Sequence, residues 1–159
     1  PLDLKKSTMK YFKSGLCDPS VFKHNDYFYL FANYPDEKYI LRLWFSLDPY
    51  FNFAKEHNKS PISISPEGGR SGGRIIKFKN KIYRFAQDCS GSYGNGLILF
   101  EIKSIDPENY IEKQISIFKL KGSYKGPHNI DFSNQLLVWD YYSEKFNIFA
   151  FFNRIKEKL

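Results

Sequence analysis

The sequence predicts an all-β protein, a partial β-propeller with about three blades of four-stranded antiparallel sheet. Three observations favour this class. The chain has 159 residues, of which 42% are hydrophobic, so it is long enough for one domain with a buried core. Its 16 Phe and 12 Tyr, against a single Met, favour strands over helices. Strand-like segments also recur at a constant spacing of 54 residues.

The repeat is carried by three windows, 18–32, 72–86 and 126–140, which align without a gap. Each window predicts two short strands joined by a tight polar turn. The predicted hairpins are 21–23 with 27–31, 75–78 with 82–85, and 130–132 with 136–139. The recurring residues are apolar at Phe22, Ile76 and Ile130, polar in the turn at Asp26, Asn80 and Asn134, and aromatic at Phe31, Phe85 and Trp139.

Further strands are predicted around these hairpins. Third strands follow the first two hairpins at 41–46 and 97–102, and each then runs into an Asp-Pro turn. Edge strands are expected at 61–65 and 115–120, and 146–152 is expected to be the third strand of the last unit. Four short antiparallel strands in about 40–55 residues are what a propeller blade requires. An ordinary β-sandwich with evenly spaced hairpins is the alternative.

The predicted division of the chain follows the repeat. It comprises an N-terminal segment or end of a preceding blade at 1–15, blades at 16–66 and 67–121, a partial blade at 122–152, and a C-terminal tail at 153–159. Propellers typically close with four to eight blades, so these units do not complete a ring. We expect the missing N-terminal blades to lie upstream in a longer protein, or copies of the chain to associate. The start at Pro1 without a Met agrees with a trimmed piece.

Charge and composition argue against several functional classes. The formal net charge is +7, but only five of the 24 basic residues are Arg and the lysines are scattered, so no nucleic-acid partner is expected. No apolar run approaches the ~20 residues of a membrane helix, and no signal peptide is visible, so no membrane span is expected. Two cysteines, Cys17 and Cys89, predict structural thiols in a reducing, cytoplasmic setting rather than a disulfide framework. Three scattered His predict neither a metal site nor a cofactor.

Equivalent positions of the repeat should meet at one place, because the first strand of every propeller blade lines the central channel. The third position of each window is polar, at Ser20, Arg74 and His128. The first position carries Asp18, Gly72 and Gly126. Since unpaired polar groups are costly to bury, this set predicts a solvated funnel. The alternative is that these residues only cap the strands as loops.

Two polar segments add candidates for a site. Segment 65–74 is rich in glycine, and we expect a close-packed turn that brings Arg70 and Arg74 together. Two guanidinium groups could then clamp a phosphate, a carboxylate or an array of sugar hydroxyls. Segment 87–96 is a long polar connection where a tight hairpin would be sufficient, and such connections commonly carry function.

The run from Arg74 through Gln87-Asp88-Cys89-Ser90 to Tyr93-Gly94 resembles the signature of one domain family. In plant glucosamine inositolphosphorylceramide transferases this domain precedes the glycosyltransferase part, and it is similar to five-bladed propellers of the arabinanase, xylosidase and invertase type. The resemblance covers most of 16–142. It implies the last three of five blades and a link to glycan or glycolipid synthesis.

The candidate polar residues and the resemblance to this domain family together predict a carbohydrate-handling module with a sugar or glycan ligand. The candidate ligand-binding residues are Arg70, Arg74, Gln87, Tyr93, His128 and Asn129. An enzymatic alternative, of glycosidase or glycosyltransfer type, uses Asp18 and Asp88 as an acid pair, because glycoside hydrolysis needs two carboxylates. A third alternative is a structural or interaction module whose funnel is only a solvated axis.

Overall fold

The computed structural model describes residues 15–133 and 136–143, and every regular element in that part of the chain is a β-strand. The strands are β1 (Cys17–His24), β2 (Tyr27–Asn33), β3 (Ile40–Ser46), β4 (Lys55–Glu56), β5 (Ser63–Ile64), β6 (Glu67–Ser71), β7 (Ile76–Phe78), β8 (Lys81–Asp88), β9 (Gly96–Ile105), β10 (Tyr110–Phe118), β11 (Tyr124–Lys125), β12 (Ile130–Ser133), β13 (Leu136–Trp139) and β14 (Tyr142–Ser143). The all-β prediction is confirmed.

The first sheet has the strand order β1-β2-β3-β4, with β5 also paired to β3. The hairpin of β1 and β2 and the third strand β3 lie where the repeat predicts them. The edge predicted at 61–65 is shorter than expected. Two short strands, β4 and β5, pair with opposite ends of β3 instead of one continuous strand.

The second sheet has the order β10-β9-β8-β6, and β7 also pairs with β8. Its hairpin turns at Lys79 and Asn80, which have φ values of 48° and 61°, as a type I′ turn requires. The edge strand β10 begins at residue 110 rather than at 115. Part of the glycine-rich segment is a strand, β6, where the sequence predicts a turn. Glycine there permits close approach, because a Cβ on Gly69 would lie 2.1 Å from the carbonyl oxygen of Tyr39.

The third unit consists of two small sheets, β12 with β13 and β11 with β14. The predicted hairpin is present, but its register is offset from the first two. Phe22 pairs with Tyr29, so a repeat of 54 predicts Ile130 opposite Leu137; Ile130 instead pairs with Trp139. The turn residue Asn134 and the segments 1–14 and 144–159, including the strand predicted at 146–152, lie outside the described residues.

The core lies between the first two sheets, and alternation along β2 explains how. Tyr29 and Phe31 point to one face, whereas Leu30 and Ala32 point to the other, since successive strand residues face opposite sides. The first face packs on the second sheet in a cluster of Phe22, Tyr29, Phe31, Leu41, Leu43, Ile75, Ile82, Ile102 and Ile105. The opposite face packs with Trp44 and Phe51. The two sheets are therefore joined face to face by apolar side chains.

The described sheets do not form a closed ring, so the number of blades and the domain boundaries stay predictions. The recurring aromatic residues differ in their burial. Phe31 is fully buried between the sheets, Phe85 is half-buried facing the third unit, and Trp139 is 41% exposed. Residues 15–133 and 136–143 contain no helix of the length and hydropathy needed to cross a membrane.

Candidate functional site

A cavity of about 330 Å³ lies where the three units meet. Its wall is formed by Asp18, Pro19, Ser20, Val21, Ser71, Gly73, Arg74, Gln87, Tyr93, His128, Asn129 and Asp131. Ser20, Arg74 and His128, at equivalent positions of the repeat, share this wall, as the repeat predicts. Six of the eight predicted site residues line the cavity; Arg70 and Asp88 do not.

Asp18 enters the cavity because the ladder of β1 and β2 is interrupted there. Pairing is regular from Ser20 onward, but the register shifts between Cys17 and Ser20. Pro19 has no N–H to donate, and Asp18 has a φ of 48°, so the chain bulges at this point. The bulge turns the Asp18 carboxylate toward β6 and β8.

Arg70 holds that carboxylate in place. Its Nε and Nη2 donate to Asp18 Oδ2 over 2.8 and 2.5 Å, and Nε2 of Gln87 reaches the same oxygen over 3.5 Å. Burial by itself would lower the pKa of Arg70, but the bonds to Asp18 raise it, so the guanidinium stays charged. The guanidinium carbon lies 5.3 Å from the ring centre of Tyr93. Arg70 does not line the cavity itself, but it fixes the Asp18 carboxylate in the wall and also contacts the exposed Tyr93 ring.

Arg74 and Asp131 form a second ion pair across the boundary between the second and third units. Arg74 Nε lies 2.5 Å from Asp131 Oδ1, and both side chains are about half exposed. The backbone joins the same two units, because the Ile130 N–H donates to the Gly72 carbonyl over 2.9 Å. A side chain at Gly73 would collide with the Ile130 carbonyl oxygen, at 2.0 Å, so glycine is required for this contact.

The third unit contributes His128 and Asn129, and Asp140 fixes both. Oδ1 of Asp140 accepts hydrogen bonds of 2.9 Å from the backbone N–H groups of His128 and Asn129, and Oδ2 pairs with His128 Nδ1. The His128 ring lies 5.3 Å from that of Tyr93. The Tyr142 hydroxyl donates to the Tyr93 carbonyl over 2.9 Å. The loop that carries Tyr93 is therefore attached to the third unit.

Asp88 lies away from this cavity, although it directly follows Gln87. Consecutive strand residues face opposite sides, so Gln87 faces the cavity and Asp88 the far side of β8. The Asp88 carboxylate pairs with Lys119 Nζ at 2.5 Å and accepts from the Ser90 N–H and hydroxyl. Burial raises the pKa of Asp88, but the bonds from Lys119 and Ser90 outweigh it and bring the pKa below its usual value. The proposed acid pair of Asp18 and Asp88 thus does not share one cavity wall.

Two polar residues of the wall, Ser71 and Asp131, were not among the eight predicted site residues. Nothing in the sequence distinguishes Ser71. Asp131 has a signal, because the equivalent positions of the other two windows carry Lys23 and Lys77. Reversal of charge at one repeat position marks a residue with a local role. Both cysteines are free, and the described residues contain no group of three or more His, Cys, Asp or Glu that could hold a metal ion.

Comparison with known proteins finds one matching family model, that of the N-terminal region of glucosamine inositolphosphorylceramide transferase 1, over residues 2–136. Two relatives called glucosamine inositolphosphorylceramide transferase 1 come from rice, Oryza sativa subsp. japonica and subsp. indica. They are 34% and 33% identical to the chain over 109 residues. These alignments cover 64% of this chain but only 14% of each relative. No solved structure matches the chain.

Proposed function

The chain belongs to the family of N-terminal regions of glucosamine inositolphosphorylceramide transferase 1, and on that premise we propose that it is a carbohydrate-handling module in glycan or glycolipid synthesis. Since it spans 14% of the length of its curated relatives, the proposal concerns a binding module and not a complete transferase. The observation that carries it is the cavity in which Ser20, Arg74 and His128 meet.

The chemistry of the wall suits sugar hydroxyls. Carboxylates accept hydrogen bonds, whereas guanidinium, amide and imidazole groups donate them, and Asp18, Arg74 and Asn129 present both kinds on one concave surface. Tyr93 adds an aromatic ring that is 49% exposed. An apolar ring beside a few convergent polar groups is typical of small-molecule sites.

The same proposal includes a propeller architecture. Two sheets packed face to face, followed by a third hairpin, correspond to consecutive blades, and further blades from upstream sequence or from another copy would complete the ring. Light scattering on the 159-residue chain tests the second source. A monomer that binds glycan would count against completion by self-association.

Binding to a glycan array, followed by calorimetric titration, tests the proposed function. The wild-type chain is compared with Arg74→Ala, and Arg42→Ala is the matched control. Arg42 also forms a surface ion pair, with Glu37 and Glu56, but does not line the cavity. We expect Arg74→Ala to weaken binding by about tenfold, since hydrogen bonds to a charged group contribute ~1.5–3 kcal/mol. Equal loss in both variants, or no glycan binding by the wild type, would exclude this role for the cavity.

Glycoside hydrolysis is the second candidate, because two carboxylates, Asp18 and Asp131, line the same cavity. Glycosidases use two carboxyl groups that flank the scissile bond. Release of 4-nitrophenol from a panel of 4-nitrophenyl glycosides tests this candidate. Turnover that is abolished by Asp18→Asn and by Asp131→Asn would favour the enzyme over the binding module.

A further inference from the structure

The charges around the cavity balance one another. Each Asp and Arg side chain on the wall has an oppositely charged partner in the described residues: Asp18 with Arg70, and Arg74 with Asp131. Although the whole chain carries a net charge of +7, the cavity itself offers no free guanidinium. A phosphate or carboxylate entering it would have to break an ion pair or lie beside carboxylates without a counter-charge, and both are unfavourable.

Ser71 supplies a different kind of group. It is the last residue of β6, its exposed fraction is 5%, and it lines the cavity. Its Oγ has no hydrogen-bond partner within 15–133 and 136–143. The backbone around it is fixed, because Gln87 Nε2 donates to the Ser71 carbonyl over 2.9 Å. A buried hydroxyl without a partner is costly. The Ser71 Oγ is itself shielded from solvent, so it would reach a ligand in the cavity by rotating about χ1 to another staggered rotamer.

A hydroxyl both donates and accepts a hydrogen bond, as the hydroxyls of a sugar do. The volume of about 330 Å³ is at the lower end of the ~300–1,000 Å³ of ligand pockets, which is suited to a single ring. We therefore infer that the cavity binds one uncharged sugar ring, in preference to a phosphorylated or carboxylated one, with the Ser71 hydroxyl as a contact. This inference rests on the proposed carbohydrate function and specifies the substrate class of the same site.

Selectivity for charge is measured with matched probes. The wild-type chain is titrated with the methyl glycosides of glucose, galactose, mannose and arabinose, and with the 6-phosphate and uronic acid counterparts of the three hexoses. We expect at least one neutral glycoside to bind at least about tenfold more tightly than its charged counterparts, a difference of ~1.4 kcal/mol. Its affinity should change less than about twofold between 50 and 300 mM NaCl, since no net charge is neutralised.

The outcomes distinguish a failure of the predicted charge selectivity from a failure of the proposed carbohydrate function. Tighter binding of a phosphorylated or carboxylated sugar, with affinity that falls as salt rises, would overturn the inference but retain a carbohydrate site. Absence of binding by every sugar in the panel would overturn both.

The role of Ser71 is tested with the neutral glycoside that binds best. Ser71→Ala should lower its affinity about five- to tenfold, in the range of one hydrogen bond lost to a ligand. The unfolding temperature should not fall, because the hydroxyl bonds to no described residue. Ser46→Ala is the opposite control: Ser46 is equally buried but lies outside the cavity, and its hydroxyl bonds to Asp48. That variant should lose stability and keep its affinity. Unchanged affinity in Ser71→Ala would overturn the assigned contact.

Discussion

At the scale of single residues, Asp88 shows how a signature carboxylate can serve the structure around a site. It closes a turn onto Ser90 and pairs with Lys119 at the end of β10. These bonds fix the first residues of the loop between β8 and β9, and that loop places Tyr93 in the cavity wall. Asp88 therefore has structural contacts in this fold, and any effect of its substitution on the proposed site is expected to pass through that loop.

The first prediction concerns pH. Because bonds from Lys119 and Ser90 lower the pKa of Asp88 below the unfolded value of ~3.9, its stabilising contribution is complete above that value. The contribution is lost as pH falls through the lower folded pKa. Thermal unfolding from pH 7 to 2 should show a steeper loss below about pH 4 for the wild type than for Asp88→Asn. Parallel curves for the two proteins would contradict this.

The sequence predicts many of the residues that line the cavity but does not reveal which way each side chain points. Gln87 and Asp88 occur in the same motif and are equivalent as sequence candidates. Their separation onto opposite faces depends on the register of β8 between β6 and β9, a non-local pairing. Asp18 was recognised from its repeat position. Its partner Arg70 lies 52 residues away, and no local pattern predicts that contact.

At the scale of elements, the two-residue hairpins were predictable and the strands formed by distant pairing were not. The turn at Lys79 and Asn80 is encoded locally, so β7 and β8 were placed from sequence. β6 was not, because a glycine-rich run is typical of a turn, and its strand conformation depends on non-local pairing with β8. The offset of the third hairpin likewise depends on pairing within that unit.

The second prediction concerns Arg84, a residue of β8 whose hydrogen bonds connect that strand with β6 and β10. The side chain is fully buried, bonds Glu112 on β10 through Nε and Nη2, and donates through Nη1 to the Gly68 carbonyl of β6. Arg84→Met removes the ion-pair partner of the partly buried Glu112 carboxylate, which then keeps only the hydrogen bond from the Tyr110 hydroxyl. It should lower the free energy of unfolding in urea by about 3–5 kcal/mol.

Arg42→Met is the control for this measurement. Its ion pairs with Glu37 and Glu56 are partly exposed, with 23% of the Arg42 side chain accessible. Removal of such a pair should cost about 1 kcal/mol or less. Equal losses in the two variants would show that Arg84 does not act as a buried connector.

The third prediction concerns the loop between β8 and β9. Gly94 has a φ of 63°, and a Cβ there would lie 2.8 Å from the Cβ of His128. Gly94→Ala should therefore lower stability and also weaken binding of a neutral methyl glycoside by displacing His128. Gly122→Ala provides the matched comparison, because Gly122 has a φ of 75° with nothing within 4 Å. That variant should lose only the ~1–2 kcal/mol of a left-handed residue and keep its affinity. Binding that is equally weak in both would contradict the contact.

At the scale of the whole molecule, apolar packing is strongest between the first two sheets and weaker toward the third unit. Phe31 and Leu43 are fully buried in the first interface, whereas Leu136 to Trp139 on β13 are 41–66% exposed. A half-buried groove lined by Phe85, Leu99 and Leu137 separates that unit from the second sheet. One wall of the cavity thus belongs to a sparsely covered part of the described fold.

The fourth prediction follows from this gradient and is measured by amide hydrogen exchange. Amides of β2 and β8 should exchange slowest, at rates set by global unfolding. Amides of β12 and β13 should exchange at least about a hundredfold faster, because local opening costs less where few apolar contacts hold a segment. Equal protection in all three units would contradict the gradient.

Residues from three units are proposed to form one carbohydrate site, and backbone amide NMR during titration with neutral methyl glycosides provides the sharpest test. We expect shifts at Ser20, Gly73 and Asn129 that saturate together with a single dissociation constant. We also expect no change around Phe85 and Leu137 in the apolar groove. Shifts confined to one unit or to the groove, or no shifts at saturating glycoside, would contradict the claim.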